Sequence, residues 1–335
     1  MDELVVVSGD SNIPLAIGIG GELGMKVPCI QRHFNDGETR VEVPVNVRGR
    51  DVFVVQSTHQ PDTNILGLLI MIDALQRASA EKITVAVPYL GYARQDKKAK
   101  RGTPITAALI VHLIYAAGAH RILTTDLHSD PIQGFGPLPP RPFDNLDAAP
   151  VLLRRIRHDL RIADFRDVAF VSPDDGGIER CEKLAEEVRC SNVTYYTKRR
   201  DTEGKIVEGG AIHDPDRVEG RICLLFDDLV DTAGTLQKAS RALIRAGAKS
   251  VIAACIHAVL SKDQETGEAA LDRIEHSPIE RLYVSDTIPL REMHPKLVRV
   301  SLDAYFALAI RGIHDRTSVS AVIREAYADV LKDIV

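Results

Sequence analysis

The 335-residue chain is 45% hydrophobic and 27% charged with a formal net charge of −5, a length and composition that suit two domains each burying its own core. The negative balance, the absence of Trp and an aromatic content of 5% exclude a nucleic-acid binder, which needs a basic surface or stacking aromatics. Five cysteines with no CxxC read as reduced thiols without a zinc site, while the acidic start MDELVVVSGD and apolar runs no longer than LLIMI predict a cytoplasmic protein without a membrane span.

Short runs rich in Val and Ile alternate with segments of helical period: Leu4–Val7, Val52–Val55, Ile83–Val87, Arg121–Thr124, Val168–Val171, Ile222–Phe226 and Val251–Ala254. Runs apolar throughout suit strands covered on both faces, so the chain is α/β with mostly parallel sheets. It also repeats itself. AGAHRI (Ala117–Ile122) matches AGAKSV (Ala246–Val251), and at the same offset Thr103 falls on Thr232, Thr106 on Thr235 and His128 on His257. The strand at Ile83 matches that at Ile222 only after an insertion of about ten residues, within or near Gly91–Lys100, is allowed for in the first half. Two related domains joined near Pro137–Pro150 are expected, with GPLPPRP (Gly136–Pro142) as an extended surface connection.

The chemistry-bearing stretches follow in chain order. FNDGE (Phe34–Glu38) is, by composition, a glycine turn. Tyr92–Thr106 holds Arg94, Lys97, Lys98, Lys100 and Arg101. Such a run is ordinarily a solvated face, but in an acidic protein and at an insertion it also suits a lid that closes over a polyphosphate. DLHSDPIQGF (Asp126–Phe135) and SPDDGG (Ser172–Gly177) each follow a strand, and KRR (Lys198–Arg200) forms a small basic cluster. LLFDDLVDTAGT (Leu224–Thr235) is the most informative stretch. A buried strand ends in Asp227 and Asp228, then Asp231-Thr232-Ala233-Gly234-Thr235 turns into a helix. The helix N-terminus and the Thr232 and Thr235 hydroxyls suit a phosphate monoester, Gly234 permits close approach, and the two carboxylates suit vicinal hydroxyls of a sugar. A solvated strand end with a capped helix is the plainer reading of the same residues.

The last turn resembles the phosphoribosyl-diphosphate (PRPP) motif of phosphoribosyltransferases and PRPP synthetases, and the other stretches, in order over nearly the whole chain, resemble the synthetases. That resemblance, to ribose-phosphate diphosphokinases of class I, implies two duplicated phosphoribosyltransferase-like (Rossmann-like) domains, each a mostly parallel sheet flanked by helices. The expected bounds are 1–145 with the ATP motifs and lid, 146–305 with the ribose-5-phosphate loop, and a segment 306–335 packing back on the first domain. It implies a reaction of ATP with ribose 5-phosphate giving PRPP and AMP. By the same resemblance Phe34, Asp36 and Glu38 hold the base or ribose of ATP, and Arg94 and Gln95 contact ATP. His128 and Asp174 hold Mg²⁺, and Lys198 and Arg200 stabilise the transition state. Asp227, Asp228, Asp231, Thr232, Ala233, Gly234 and Thr235 hold ribose 5-phosphate. It further implies a homo-oligomer built from dimers, up to a hexamer. The region 130–142 departs from the family pattern. Pro131 replaces a Gln, Gly136 a Phe, and Asp130 stands where some members bind regulatory phosphate through a Ser, so a carboxylate would repel that anion. Two rivals are a phosphoribosyltransferase, for which the duplication and basic insertion are superfluous, and a catalytically silent associated subunit, which would have lost residues kept here.

Overall fold

The apolar runs form strands covered on both sides. Val52, Phe53 and Val54 point alternately to opposite faces of their sheet and are all fully buried, as are Leu224, Leu225 and Phe226. The structure is a computed structural model that describes residues 4–197 and 210–332, with side chains as far as Tyr327. In chain order the first part forms β1 (Leu4–Ser8), α1 (Ile13–Leu23), β2 (Gln31–His33), β3 (Thr39–Val41), β4 (Asp51–Val55), α2 (Thr63–Arg77), β5 (Lys82–Val87), α3 (Thr106–Ala117), β6 (Arg121–Thr125) and β7 (Phe143–Leu146). Next come α4 (Ala149–Leu160), β8 (Val168–Ser172), α5 (Ile178–Glu187), β9 (Val193–Thr197), β10 (Ala211–Ile212), β11 (Ile222–Val230) and α6 (Gly234–Arg245). The chain continues through β12 (Ser250–Ala258), α7 (Ala270–Glu275), β13 (Ile279–Ser285), β14 (Leu297–Val300), α8 (Asp303–His314) and α9 (Val319–Lys332).

Two compact units result. The first is Met1–Ala148 with Thr287–Pro289 and Ser301–Arg324, the second Ala149–Asp286 with Leu290–Val300 and Glu325–Val335. The first unit holds a five-stranded sheet in the order β1-β4-β5-β6-β7, parallel throughout. Among the described residues the second holds a seven-stranded sheet, β10-β9-β8-β11-β12-β13-β14, in which only β10 runs antiparallel. The repeat read from the sequence is structural. Gly118 follows α3 at φ 119° and Gly247 closes the matching end of α6 at φ 85°, the left-handed stop that glycine supplies best.

The structure adds to the sequence reading in two places. The strand expected to stop at Phe226 runs on to Val230, because β12 continues alongside it and pairs Asp227 with Cys255, Leu229 with His257 and Val230 with Ala258. The proline-rich stretch lies inside the first unit, where it leads into β7. Arg141 Nη1 anchors it by donating to Ala119 O at 2.6 Å, and Tyr115 Oη donates to Pro142 O at 2.8 Å. Among the described residues no helix is long and apolar enough to cross a membrane.

Candidate active site

In each unit the parallel strands bring their carboxyl ends, and the loops after them, to one edge of the sheet. In the first unit the β5 end is knit to the end of β4. Gly91 N donates to Thr58 Oγ1 at 2.7 Å, and that hydroxyl donates to Tyr89 O at 3.1 Å. Gly91 is required here, since a Cβ would fall 2.2 Å from Thr58 O. The basic stretch is fastened at its base. Tyr92 Oη donates to Asp62 Oδ1 at 2.7 Å, Gln95 N donates to Tyr92 O at 3.0 Å, and Thr106 Oγ1 at the start of α3 donates to Gln95 Oε1 at 2.6 Å. Between these fastenings Arg94, Lys97, Lys98, Lys100 and Arg101 are exposed.

His128 is exposed just beyond β6. The turn that carries it is built on Asp126, at φ 45°, whose Oδ2 accepts from Thr125 Oγ1 at 2.6 Å and Ala148 N at 2.9 Å. The FNDGE stretch joins β2 to β3 as a hairpin tip. Phe34 N donates to Glu38 O at 2.9 Å, Gly37 N returns to Phe34 O at 3.0 Å, and Asp36 Oδ1 accepts from Glu38 N at 3.0 Å. Phe34 is 52% exposed, with the Arg40 guanidinium 5.8 Å from its ring centroid, and Asp36 and Glu38 are exposed.

In the second unit β8 and β11 are neighbours, which brings Asp174 beside the Asp227–Asp228 pair. Asp174 caps the turn after β8, its Oδ1 accepting from Gly176 N at 3.0 Å. An arginine that the motifs did not reveal joins them. Arg180 Nη1, from the first turn of α5, lies 2.9 Å from Asp228 Oδ1 and 3.8 Å from Asp227 Oδ1. Burial and then the charge of Asp228 push the Asp227 carboxyl well above the ordinary carboxylate range. Asp174 adds to this and Arg180 opposes it. Arg180 thus pairs with both strand carboxylates, and Asp174 adds its charge beside Asp227.

Past β11 the chain turns through Asp231–Ala233 into α6. Ala233 takes the left-handed conformation at φ 59°, and Asp231 O and Oδ1 accept from Ser261 N and Oγ. Asp231, Thr232, Gly234 and Thr235 are half-buried, at the mouth of the α6 N-terminus where backbone N–H groups lack helical partners. Lys198 and Arg200 lie outside the described residues. Burial pushes the Cys181 and Cys223 thiols up to about 12 and Cys255 well above its ordinary value.

A parallel sheet whose strand carries paired carboxylates into a small-residue turn and a helix N-terminus defines an α/β protein of phosphoribosyltransferase type. The family model described as the N-terminal domain of ribose phosphate pyrophosphokinase matches residues 4–118, and the phosphoribosyl transferase domain model matches 144–275. The chain belongs to the ribose-phosphate pyrophosphokinase family. It is 44% identical to ribose-phosphate pyrophosphokinase 2 of Enterococcus faecalis over 95% of each chain. It is 41% identical to the ribose-phosphate pyrophosphokinase of Burkholderia pseudomallei over 97% of this chain and 99% of that one. The crystal structure of phosphoribosylpyrophosphate synthetase from Mycobacterium smegmatis superposes with a TM-score of 0.82 at 34% identity, covering 94% of this chain and 99% of that chain.

Proposed function

We propose that this enzyme transfers the β,γ-diphosphoryl group of ATP to the anomeric hydroxyl of ribose 5-phosphate. The anomeric oxygen attacks the β-phosphorus, the bond from that phosphorus to the α–β bridging oxygen breaks, AMP leaves with that oxygen, and the anomeric proton passes to solvent. The observation that carries this reading is the continuity of β11, the Asp231–Thr235 turn and α6. Two carboxylates suited to the hydroxyls of a sugar stand in β11, one short turn along the chain from a helix N-terminus suited to a phosphate.

The chain's residues act by positioning and by charge, which is most of what phosphoryl-type transfer asks of a protein. Thr232, Gly234, Thr235 and the α6 N-terminus hold the 5-phosphate, with Asp231 and Ala233 shaping the turn. Asp227 and Asp228 accept from the ribose hydroxyls. Phe34, Asp36 and Glu38 bind the adenine end of ATP, and the exposure of that hairpin tip suits a base site completed by a neighbouring subunit of a dimer-based homo-oligomer, up to a hexamer. Arg94 and Gln95 contact ATP as the basic stretch closes, and Lys198 and Arg200 neutralise charge on the transferring group.

A hard cation fits the donors present, because the carboxylates of Asp174, Asp227 and Asp228 lie beside one another on β11 and on the turn after the neighbouring strand β8. Of the chain's residues, His128 and Asp174 would hold Mg²⁺, and among the described residues no cluster of three or more His, Cys, Asp or Glu that could hold a metal is found. Bound there, Mg²⁺ supplies charge neutralisation to the triphosphate. The test is the nucleotide released from ATP, Mg²⁺ and ribose 5-phosphate, with and without inorganic phosphate. AMP formed in step with PRPP is expected. ADP would mean transfer of a single phosphoryl group and would overturn the mechanism, and no turnover would favour the silent-subunit reading.

A further inference from the structure

Behind the phosphate turn lies an arginine that neither the motif nor the reaction accounts for. Arg273, on α7, has a side chain only 9% exposed. Its Nε donates to Glu268 Oε2 at 2.8 Å, and its Nη2 donates to Thr266 Oγ1 at 2.8 Å and pairs with Asp263 Oδ2 at 2.9 Å. Its Nη1 reaches the turn itself, donating to Thr232 O at 3.3 Å. The fit there is close, since a Cβ on Gly234 would stand 3.0 Å from that same Nη1. From the other side, Gln237 Nε2 of α6 donates to Arg273 O at 3.3 Å. One guanidinium therefore ties the acidic connection after β12 to the turn that begins α6.

Two physical consequences follow. In a planar trans peptide the C=O and N–H point in opposite directions, so drawing Thr232 O toward Arg273 turns the N–H of Ala233 away from it. Ala233 is held left-handed, which an alanine adopts only at a cost, so something outside the residue must fix it. In addition, Asp263 and Glu268 place two negative charges near a turn suited to a phosphate dianion, and Arg273 is the cation set between them and the turn. We propose that Arg273 is the positioning residue of the 5-phosphate cradle. It orients the Thr232–Ala233 peptide and screens the acidic connection, and so sets the affinity for the phosphate of ribose 5-phosphate without touching the substrate. This rests on the assignment of residues 231–235 to that phosphate.

The experiment is steady-state kinetics of the full chain with ribose 5-phosphate and ATP varied separately, on Arg273→Lys, the double variant Thr266→Val/Glu268→Gln, and Thr235→Val. Lysine keeps the charge but loses the fork that spans four partners. Arg273→Lys is expected to raise KM for ribose 5-phosphate about 10- to 100-fold, the scale on which supports behind binding groups act, with KM for ATP within about twofold. The double variant loosens Arg273 from its far side and is expected to give a smaller rise, again confined to ribose 5-phosphate. It decides the matter if Arg273→Lys does not fold: a selective rise supports the proposal and an unchanged KM overturns it. Equal rises for both substrates would indicate general damage and also overturn it. If Thr235→Val raises KM for ribose 5-phosphate and neither other variant does, the cradle stands and Arg273's role falls. If none of the three does, the cradle assignment itself fails.

Discussion

Adjacent residues of a strand point to opposite faces, yet Asp227 and Asp228 meet the same guanidinium, because Arg180 approaches from the neighbouring helix α5. The two carboxylates are unequal. Asp228 holds the short contact and is nearly buried, while Asp227 carries the repulsion. Asp228→Asn should therefore destabilise the fold, by about 2 kcal/mol, since it replaces a nearly buried charged contact to Arg180 with a neutral one. Asp227→Asn should raise the melting temperature while abolishing most turnover, a trade between stability and function that sites of like charge impose. The sign with pH is definite. With its pKa raised, native Asp227 keeps a proton that the unfolded chain has released, so this group's contribution to stability falls as pH rises from the ordinary carboxylate range toward the raised value. The melting-temperature advantage of Asp227→Asn should widen over that window, and a constant difference would sink the pairing. Lys198→Ala, if that lysine stabilises the transferring group, should lower kcat about 100- to 1,000-fold with KM values little changed; a near-wild-type rate would refute the role.

At the scale of elements, legibility followed the period of the pattern. The continuous apolar runs named the central strands, and the Asp-Thr-Ala-Gly-Thr turn named the helix that follows β11. The extent of β11 was not legible, because polar Asp227 and Asp228 look like a strand end and only the continued partner β12 shows otherwise. Arg180 was missed for a similar reason: it sits in an amphipathic helix far along the chain from the carboxylates it pairs with, and nothing in IERCEK marks it. The FNDGE turn was legible as a turn, but the short strands on either side were not, being too brief and too polar to show alternation. Their hairpin presents Phe34 without burying it, so its aromatic face contributes little to the fold. Phe34→Ala should leave the melting temperature within about 1 °C and raise KM for ATP about tenfold, the worth of one aromatic stacking contact. Equal losses of stability and ATP affinity would place Phe34 in the core instead.

Across the whole molecule, the division into units does not follow the order of the chain, and no sequence period says which body a returning segment joins. Residues 301–324 come back to the first unit, where α8 packs against α1. The contact is specific. Gly18 leaves room for Asp303, whose carboxylate would lie 2.7 Å from a Cβ there, and Arg311 Nη2 donates to Glu22 O at 3.4 Å. His314 Nδ1 stands 3.0 Å from Asp51 Oδ2, Tyr305 Oη donates to Asp147 O, and α8 buries Tyr305, Phe306, Ala309 and Ile310. Thr287 O, from the other returning segment, accepts from Ser57 Oγ at 2.6 Å and Asn12 Nδ2 at 3.3 Å. A fragment ending at Ala148 keeps every strand of its sheet but uncovers the apolar surface that α8 shields, and uncovered patches of that kind drive association. That fragment should aggregate and show no cooperative thermal transition. Appending Ser301–Arg324 through a flexible linker should restore one, because the missing ingredient is burial, not a strand. A cooperative transition in the shorter fragment alone would show that α8 is a cover on the first unit and not part of its core.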